Sequence, residues 1–277
     1  MKTHTEEILI LTKTYPSPST KHRETTCVAA INRDGQLRRV FPVPFRFLDG
    51  DQQFKKWEWI RANLIHSSDD KRPESFKIDV DTIIRTGEKI GTRDGWQERR
   101  QWIEPHIVEG FNTLESRRQS TGETLGFLRP SRLVKLEITP VKKPDWTEED
   151  KAKLSQDGLF DTLSAKKRSS LKKLPYDFHY QYESETSNGK EFLRHMITDW
   201  EVGALYWNCY HKYGAKWEKY VRQKLEVEFA EKDLMFLMGT VHRFPDQWLI
   251  VGLIYPPKQI KTVGDSSPKQ LGLGLEL

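Results

Sequence analysis

Short apolar runs separated by turn residues dominate the first half of the chain. The run "ILIL" at residues 8–11 predicts a buried strand that ends at the proline-rich loop "TYPSPSTKHRE". "TTCVAAI" and "QLRRVFPVPF" follow it, and the Asp34-Gly35 pair between them predicts a hairpin turn. "FKKWEWIRANLI" and "ESFKIDVDTII" continue the pattern. We therefore expect an N-terminal β-rich region with a barrel-like arrangement.

The middle of the chain changes character. "RDGWQERRQWIEP" predicts a short helix that stops at Pro105, and a further strand is expected at about residues 132–139. The segment from Pro140 to about Pro175 contains a capped polar helix, "DWTEEDKAKLSQ", and the basic run "AKKRSSLKK" at residues 165–173. We interpret this segment as a basic helical connector, so a domain boundary is expected here.

The last third mixes strands and helices. "EFLRHMI" predicts a strand, a helix is expected from Asp199 to about Tyr213, and a second helix from about Trp217 to Phe229. "LMFLMGTVHRFPDQWLIVGLIYPP" then predicts two apolar strands separated by a turn.

Together these patterns predict an α+β protein. The predicted divisions are a β-rich region (1–140), the basic connector (141–175), a mixed α/β region packed on the first (176–257) and a flexible tail (258–277).

Composition narrows the class of protein. Of the 277 residues, 31% are charged and 36% hydrophobic, and the formal net charge of +5 permits an anionic partner without requiring one. The nine tryptophans suit a core, and equally suit stacking on bases. Cys27 and Cys209 lack any CxxC spacing, and the N-terminus does not resemble a signal peptide. We expect a cytoplasmic protein that does not enter the membrane.

The stretch "HMITDWEVGALYW" places two carboxylates where a strand becomes a helix. Thr198 and Glu201 have the spacing of a capping box, and Asp199 suits the positive end of the helix dipole. This purely structural interpretation explains both acids. The functional alternative is that Asp199 enters a cleft beside His195 and Trp200, where it stabilises a cationic transition state or activates water.

The loop after the first strand is the second candidate for chemistry. Tyr15, Lys21 and Glu24 lie in or beside "TYPSPSTKHRE", which two prolines stiffen. An aromatic face, cationic donors and a carboxylate are what a flipped nucleotide requires. A polar surface loop is the plain alternative.

Cationic and aromatic residues also interleave on the predicted strands. Arg39, Phe41 and Arg46 lie in "RRVFPVPFRF", and Lys56 and Trp57 lie in "FKKWEWI". This mixture occurs on nucleic-acid platforms, and also on ordinary half-buried strands.

The chain carries no HExxH, no Cys/His quartet, no Walker A, no GxGxxG and no GxSxG. We therefore expect no metal site and no organic cofactor.

Several short blocks resemble a known family. "ILTKTYPSPSTKHRETTC", "VFPVPFRF", "FKKWEWI", "DWEVGALYW" and "VGLIYPP" are similar to blocks in small bacterial phage-defence proteins, and among these to the anti-phage DNA glycosylases that excise glucosylated hydroxymethylcytosine. The resemblance covers the N-terminal quarter and residues 199–257. It implies an antiviral enzyme that flips a modified cytosine out of phage DNA and removes the base, leaving an abasic site.

From their chemistry, Asp199 and Glu24 are the candidate catalytic acids. The candidate contacts to DNA or to the base are Tyr15, Lys21, Arg39, Phe41, Arg46, Lys56, Trp57, His195 and Trp200. Three other functions stay open: a metal-dependent nuclease, a non-enzymatic reader of modified nucleic acid, and a plain scaffold. The oligomeric state also stays open.

Overall fold

The N-terminal region of the computed structural model is a closed β-barrel; the structure describes residues 3–155, 170–187 and 189–259. The five barrel strands are β1 Thr3–Lys13, β3 Arg23–Asn32, β4 Leu37–Val43, β5 Glu58–His66 and β6 Ser75–Lys89. A short strand outside the ring, β2 Ser17–Ser19, pairs with β3. β1 pairs with both β3 and β5, so the order β1-β5-β6-β4-β3 closes on itself.

The strand order identifies the type of barrel. Neighbours pair antiparallel around the ring except β4 and β6, which are parallel. A five-stranded Greek-key barrel in which the third and fifth strands are parallel is the arrangement of the OB-fold. This is a statement about fold, and it assigns no function by itself.

Alternate residues of β1 and β3 face opposite sides. Ile8, Ile10, Val28 and Ala30 fill the barrel interior, together with residues such as Val40 and Leu64. The residues between them, including Leu9, Leu11, Ala29 and Ile31, lie outside the barrel and are also buried. Burial on both faces explains why "ILIL" is a continuous apolar run rather than an alternating one.

The C-terminal region consists of two further sheets with helices packed against them. Its elements are α1 Arg93–Ile103, β7 Ile107–Val108, α2 Phe111–Thr121, β8 Leu125–Leu128, β9 Arg132–Pro140, α3 Glu148–Leu154, β10 Tyr176–Thr186, β11 Gly189–Met196, α4 Trp200–Tyr213, α5 Trp217–Arg222, β12 Met235–Val241 and β13 Phe244–Ile254. The sheet orders are β13-β12-β8-β7 and β11-β10-β9. α5 continues as a π-helical turn, Gln223–Glu228.

The outer face of β1 and β3 packs directly on the first of these sheets. The other side of this shared core is formed by side chains of the sheet, namely Leu125, Phe127, Met235, Leu237 and Val251. Each fully buried side chain of this size stabilises the fold by about 1.5–3 kcal/mol. The contact places the end of β1, and the loop that precedes β5, beside the start of α4.

The α+β class and the N-terminal barrel are confirmed. The boundary differs from the expected one, because β7, β8 and β9 pair within the C-terminal sheets and the barrel ends with β6. The pattern of apolar residues in the sequence did not predict α2, β8 or β10. Of the basic connector, residues 156–169 lie outside the described residues, as do residues 260–277 of the expected tail.

The N-cap of α4 also differs from the expected capping box. Asp199, rather than Thr198, is the N-cap, and its side chain accepts a hydrogen bond from the Glu201 N–H. The Thr198 hydroxyl instead donates to the Ile250 carbonyl at 3.4 Å. The Asp199 side chain therefore forms the cap alone, and the Glu201 side chain takes no part in it.

Within the described ranges, no helix has the length and apolar character that crossing a bilayer requires.

We expect Gly203→Ala to destabilise the protein, although alanine ordinarily favours a helix interior. The added Cβ would lie 2.6 Å from Tyr15 Cε2 and would also overlap Cδ2. The ring cannot move away, because Tyr15 Oη donates to the Lys172 carbonyl at 2.8 Å and accepts from Trp207 Nε1 at 2.9 Å. Thermal or urea unfolding should show a loss of about 1–3 kcal/mol.

Asn208→Ala, on the exposed side of α4, is the matched control and should be neutral or slightly stabilising. A Gly203→Ala variant at least as stable as the parent protein would contradict the packing of Tyr15 under α4.

Candidate active site

Asp199 lies at the junction between the barrel and the C-terminal region, where α4 begins. Only 2% of the residue is exposed. Its carboxylate accepts from the Glu201 N–H at 2.8 Å through Oδ1 and from the Leu253 N–H at 2.7 Å through Oδ2. Burial raises the pKa of Asp199 to about 6, against the opposing effect of the nearby Lys56 ammonium. Asp199 is therefore a buried acid that changes between its protonated and ionised forms near pH 6.

Lys56 reaches this carboxylate from the barrel. Its Nζ lies 4.0 Å from Asp199 Oδ2, 2.9 Å from Glu201 Oε2 and 3.0 Å from the Leu253 carbonyl oxygen. Burial by itself lowers the pKa of Lys56, but Asp199 and Glu201 outweigh it, so the net pKa is raised. The ammonium is thus held between two acids from the other region.

A second amine, Lys13, ends β1 in the same place. Its Nζ lies 3.5 Å from the centre of the Phe45 ring and 5.5 Å from that of Trp200, and donates to the Phe54 carbonyl at 3.3 Å. Burial lowers the pKa of Lys13 to about 8, although Glu201 and Asp199 act in the opposite direction. A part of this amine is therefore uncharged at mildly alkaline pH.

An open crevice of about 310 Å³ adjoins the two acids. Its lining includes Asp199, Glu201, Lys224, Phe229, Leu253 and Tyr255. Lys224 belongs to the π-helical turn after α5, a type of helix distortion frequently found at functional sites. Apolar walls with a few converging polar groups are the usual composition of a ligand site.

Two tryptophans near the crevice have strained backbones. Trp57 and Trp96 have positive φ, 63° and 69°, and their rings meet edge to face at 6.2 Å. Arg99 lies over both rings, at 4.8 and 4.5 Å, and Trp96 also contacts Tyr255 at 5.8 Å. Such conformations in residues other than glycine cluster at sites that need fixed geometry.

Four of the sequence-predicted residues meet at this junction: Asp199, Lys56, Trp200 and Tyr15. Trp200 lies between Phe45, at 5.6 Å, and Tyr15, at 6.4 Å. The Tyr15 hydroxyl is already bonded to Lys172 and Trp207, so Tyr15 joins the loop to α4 rather than offering a free ring.

The second predicted acid, Glu24, is buried beside Arg46. Arg46 Nη1 donates to Glu24 Oε2 at 3.0 Å, and both groups act electrostatically on Tyr15. The pair therefore lies next to the loop, on the barrel side of Tyr15. A catalytic role for Glu24 stays a prediction.

Two predicted contact residues, Arg39 and Trp57, are in the core instead. Arg39 is 3% exposed and donates to Glu74 at 3.5 Å and to the Thr124 carbonyl at 2.9 Å. Trp57 is 2% exposed, within the core that joins the two regions. These burials leave neither side chain accessible to a base or a phosphate, so the strand alternation that suggested contact was misleading.

His195 is also placed differently from its expected position beside Asp199. Its Nδ1 lies 2.9 Å from the Tyr182 hydroxyl, and its ring packs 4.9 Å from Phe111. Burial lowers the pKa of His195 to about 4, and the charge of His179 lowers it further. His195 is thus a neutral packing residue of β11.

The last two predicted contacts lie on the barrel surface. Lys21 is exposed in the turn between β2 and β3, and Phe41 is 48% exposed on β4. Neither belongs to the crevice.

Sequence reasoning missed Lys13, Glu201 as an ion-pair partner, Lys224 and Tyr255. One signal was available: Lys13 comes at the end of the apolar run of β1, directly after the five buried positions 8–12, where a lysine is costly unless it has a role. Among the described residues, no three His, Cys, Asp or Glu side chains form a group that could hold a metal ion.

We expect Arg39→Ala to act on stability. It leaves Glu74 buried without its cation, which costs about 3–5 kcal/mol in the free energy of unfolding. Arg61→Ala, on an exposed position of β5, is the control and should change stability little. Weaker DNA binding with unchanged stability in Arg39→Ala would contradict its placement in the core.

We expect Lys13→Met to stabilise the protein near pH 7 by about 1–2 kcal/mol, because the folded state disfavours the ammonium. The pKa of Lys13 in the folded state, about 8, is below the ordinary value of 10.5 for a lysine. The folded state therefore releases this proton first, and the advantage of methionine should shrink as pH rises from about 8 to 10.5.

Urea unfolding at pH 7, 8.5 and 10 measures this effect, with the exposed Lys55→Met as control. A Lys13→Met variant that is less stable than the parent at pH 7 would contradict the cost assigned to the buried ammonium.

Two family models match the chain. One, described as Domain of unknown function (DUF8758), covers residues 4–105, and the other, described as Domain of unknown function (DUF8757), covers residues 108–273. No curated protein matches. Among solved structures, a chain from "Structure and Conformational Change of a Replication Protein A Heterotrimer Bound to ssDNA" is 8% identical, covering 93% of this chain and 65% of that one.

The TM-score of that structural match is 0.26, too low to support a conclusion about fold or function. The second family model spans more than half of the sequence and begins at β7, where the barrel has ended. The chain therefore belongs to the family described as Domain of unknown function (DUF8757).

Proposed function

We propose that the protein is a DNA glycosylase that acts on a bulky modified cytosine, with its active site in the crevice at the start of α4. The observation that carries the proposal is a carboxylate, Asp199, buried at the edge of an open crevice and held 4.0 Å from a lysine of the other region. The resemblance of several sequence blocks to anti-phage glycosylases supports the choice of substrate.

The geometry around Asp199 fits the charge that develops in such a reaction. When the N-glycosidic bond breaks, the sugar becomes cationic at C1′, and a fixed carboxylate stabilises that charge without reorganising. The Glu201 and Leu253 N–H groups fix both carboxylate oxygens. Water then forms the new C1′–O bond and the proton leaves with the base, so the products are an abasic site and the free base.

The neighbouring side chains have supporting roles. Lys56 holds the charge balance beside Asp199, whereas Lys224 lines the crevice and supplies a positive charge where a phosphate of an extruded nucleotide would lie. Tyr255 and Phe229 stack on each other at 4.2 Å and form an aromatic wall. Extruded bases are commonly held against rings of this kind.

The fold argues against the alternative hypothesis that the protein only recognises nucleic acid through its barrel. OB-folds bind oligonucleotides on the face of their second and third strands. Here the second barrel strand, β3, has the outer positions Ala29 and Ile31 buried against the C-terminal sheet. Half of that face is therefore closed to a ligand.

The test is excision on duplexes carrying cytosine, hydroxymethylcytosine or glucosylated hydroxymethylcytosine, in EDTA, followed by alkaline cleavage of abasic sites. We expect product only from the modified duplexes. Activity should rise as pH increases through about 6, because Asp199 must lose its proton to stabilise the sugar cation.

Asp199→Asn should lower the excision rate by at least about 100-fold. Asparagine is also a good N-cap, so the bond from the Glu201 N–H can be kept while the charge is removed. Thr147→Ala, which removes the N-cap of α3, is the control for cap loss and should keep its activity. An unchanged glucosylated duplex, or cleavage that appears only with added divalent metal, would contradict the proposal.

A further inference from the structure

A second, larger cavity of about 590 Å³ opens on the far side of Phe229. Five of its lining side chains are cationic and one is acidic: Arg100, Arg129, Arg132, Lys232, Lys258 and Asp233. The rest of its lining is apolar or uncharged, including Pro130, Leu133 and Leu234. The lining side chains by themselves sum to a formal charge of +4, before their ion-pair partners outside the lining are counted.

Two of the arginines form the fixed part of the cavity. Arg100 Nη1 lies 2.7 Å and Arg129 Nε 3.0 Å from the Asp233 carboxylate, so two guanidinium groups share one acid of the lining. Their other carboxylate partners, Glu104 and Glu109, are about half exposed or more. The two guanidinium groups are thus neutralised by three carboxylates, and they form a fixed wall rather than a source of excess positive charge.

The other cationic residues of the cavity lining are Arg132, Lys232 and Lys258. Arg132 is paired with Glu183, whereas the Lys258 ammonium donates to the uncharged Ala230 carbonyl at 3.1 Å. Within the described ranges, the Lys232 ammonium has no ion-pair partner, and the residue is exposed. Because the arginines are paired with acids, these two lysines give the cavity its excess of positive charge, which favours an anion in that space.

The cavity and the crevice share one wall. Phe229 lines both, and its ring stacks on Tyr255 of the crevice. The crevice at Asp199 and the cationic cavity are therefore neighbours on either side of this ring. A DNA strand with one nucleotide in the crevice would place its following phosphates on the cationic side.

We propose that this cavity binds the backbone phosphates of the DNA strand that enters the crevice. The inference rests on the proposed action on DNA, but it concerns binding and not excision. Phosphate contacts position a strand and carry no sequence information, so the cavity would act equally on modified and unmodified duplexes.

The test compares Lys232→Gln/Lys258→Gln with Lys216→Gln/Lys219→Gln, a control that removes the same charge from exposed positions around the start of α5. Binding of a fluorescent unmodified duplex is measured by anisotropy from 50 to 300 mM salt. The cavity variant should bind roughly 10-fold more weakly, and the slope of log K against log salt should be shallower by about 2, since each lost phosphate contact removes about 0.9 from the slope. The control should stay within about twofold of the parent.

Inorganic phosphate is the second probe, added as a competitor at constant ionic strength. Equal losses in the two variants, no loss in either, or no salt-dependent DNA binding by the parent would overturn the proposal. Phosphate binding that depends on Lys232 and Lys258 without any effect of these residues on DNA would also overturn it, since the site would then serve a free anion.

Excision by the parent protein is measured separately. Absent excision together with lysine-dependent DNA binding would refute only the glycosylase. Intact excision with unaltered DNA binding by the cavity variant would refute only the phosphate site.

Discussion

The apolar contact between the outer face of β1 and β3 and the β8–β12–β13 sheet determines the rest of the structure. It buries residues of the barrel that would otherwise face water, and its position brings the ends of both regions together. Lys13 and Lys56 come from the barrel, whereas Asp199 and Glu201 come from α4. The charge cluster therefore exists only because two apolar surfaces match.

The energetic character of that cluster differs from that of its surroundings. The core gains stability from every buried methyl group, whereas Asp199 and Lys13 lose stability by being buried with their charges. At Lys13 a fold selected only for stability would have an apolar residue, and at Asp199 it would have an uncharged N-cap such as asparagine. Unfavourable charge at the edge of a well-packed interface is what a trade between stability and activity would leave, and it fits the proposed active site.

Local sequence patterns predicted much of the fold but less of the site. Apolar runs located the barrel strands and both C-terminal strands, because continuous burial leaves a continuous apolar signature. β8 and β10 were missed: β8 is only four residues long, and β10 carries polar residues such as His179 and Glu183 that are buried by pairing. Arg39 and Trp57 were misjudged for a similar reason, since no local pattern distinguishes an exposed cation or ring from one buried by a distant sheet. Asp199, Lys56 and Trp200 do lie close together, because each is at or just before the start of an element, where side chains of different elements meet; their roles stay a prediction.

The shared core also bears on how this architecture is inherited. The two matched families divide the chain between residues 105 and 108, as if barrel and partner were separate modules. Yet Leu9, Ile31, Phe127 and Leu237 form one cluster across that division. A barrel produced without its partner would present this surface to water and associate through it. Substitutions in this shared core must therefore be compensated across the interface. Exchanging either module between relatives would require matching apolar residues on both surfaces.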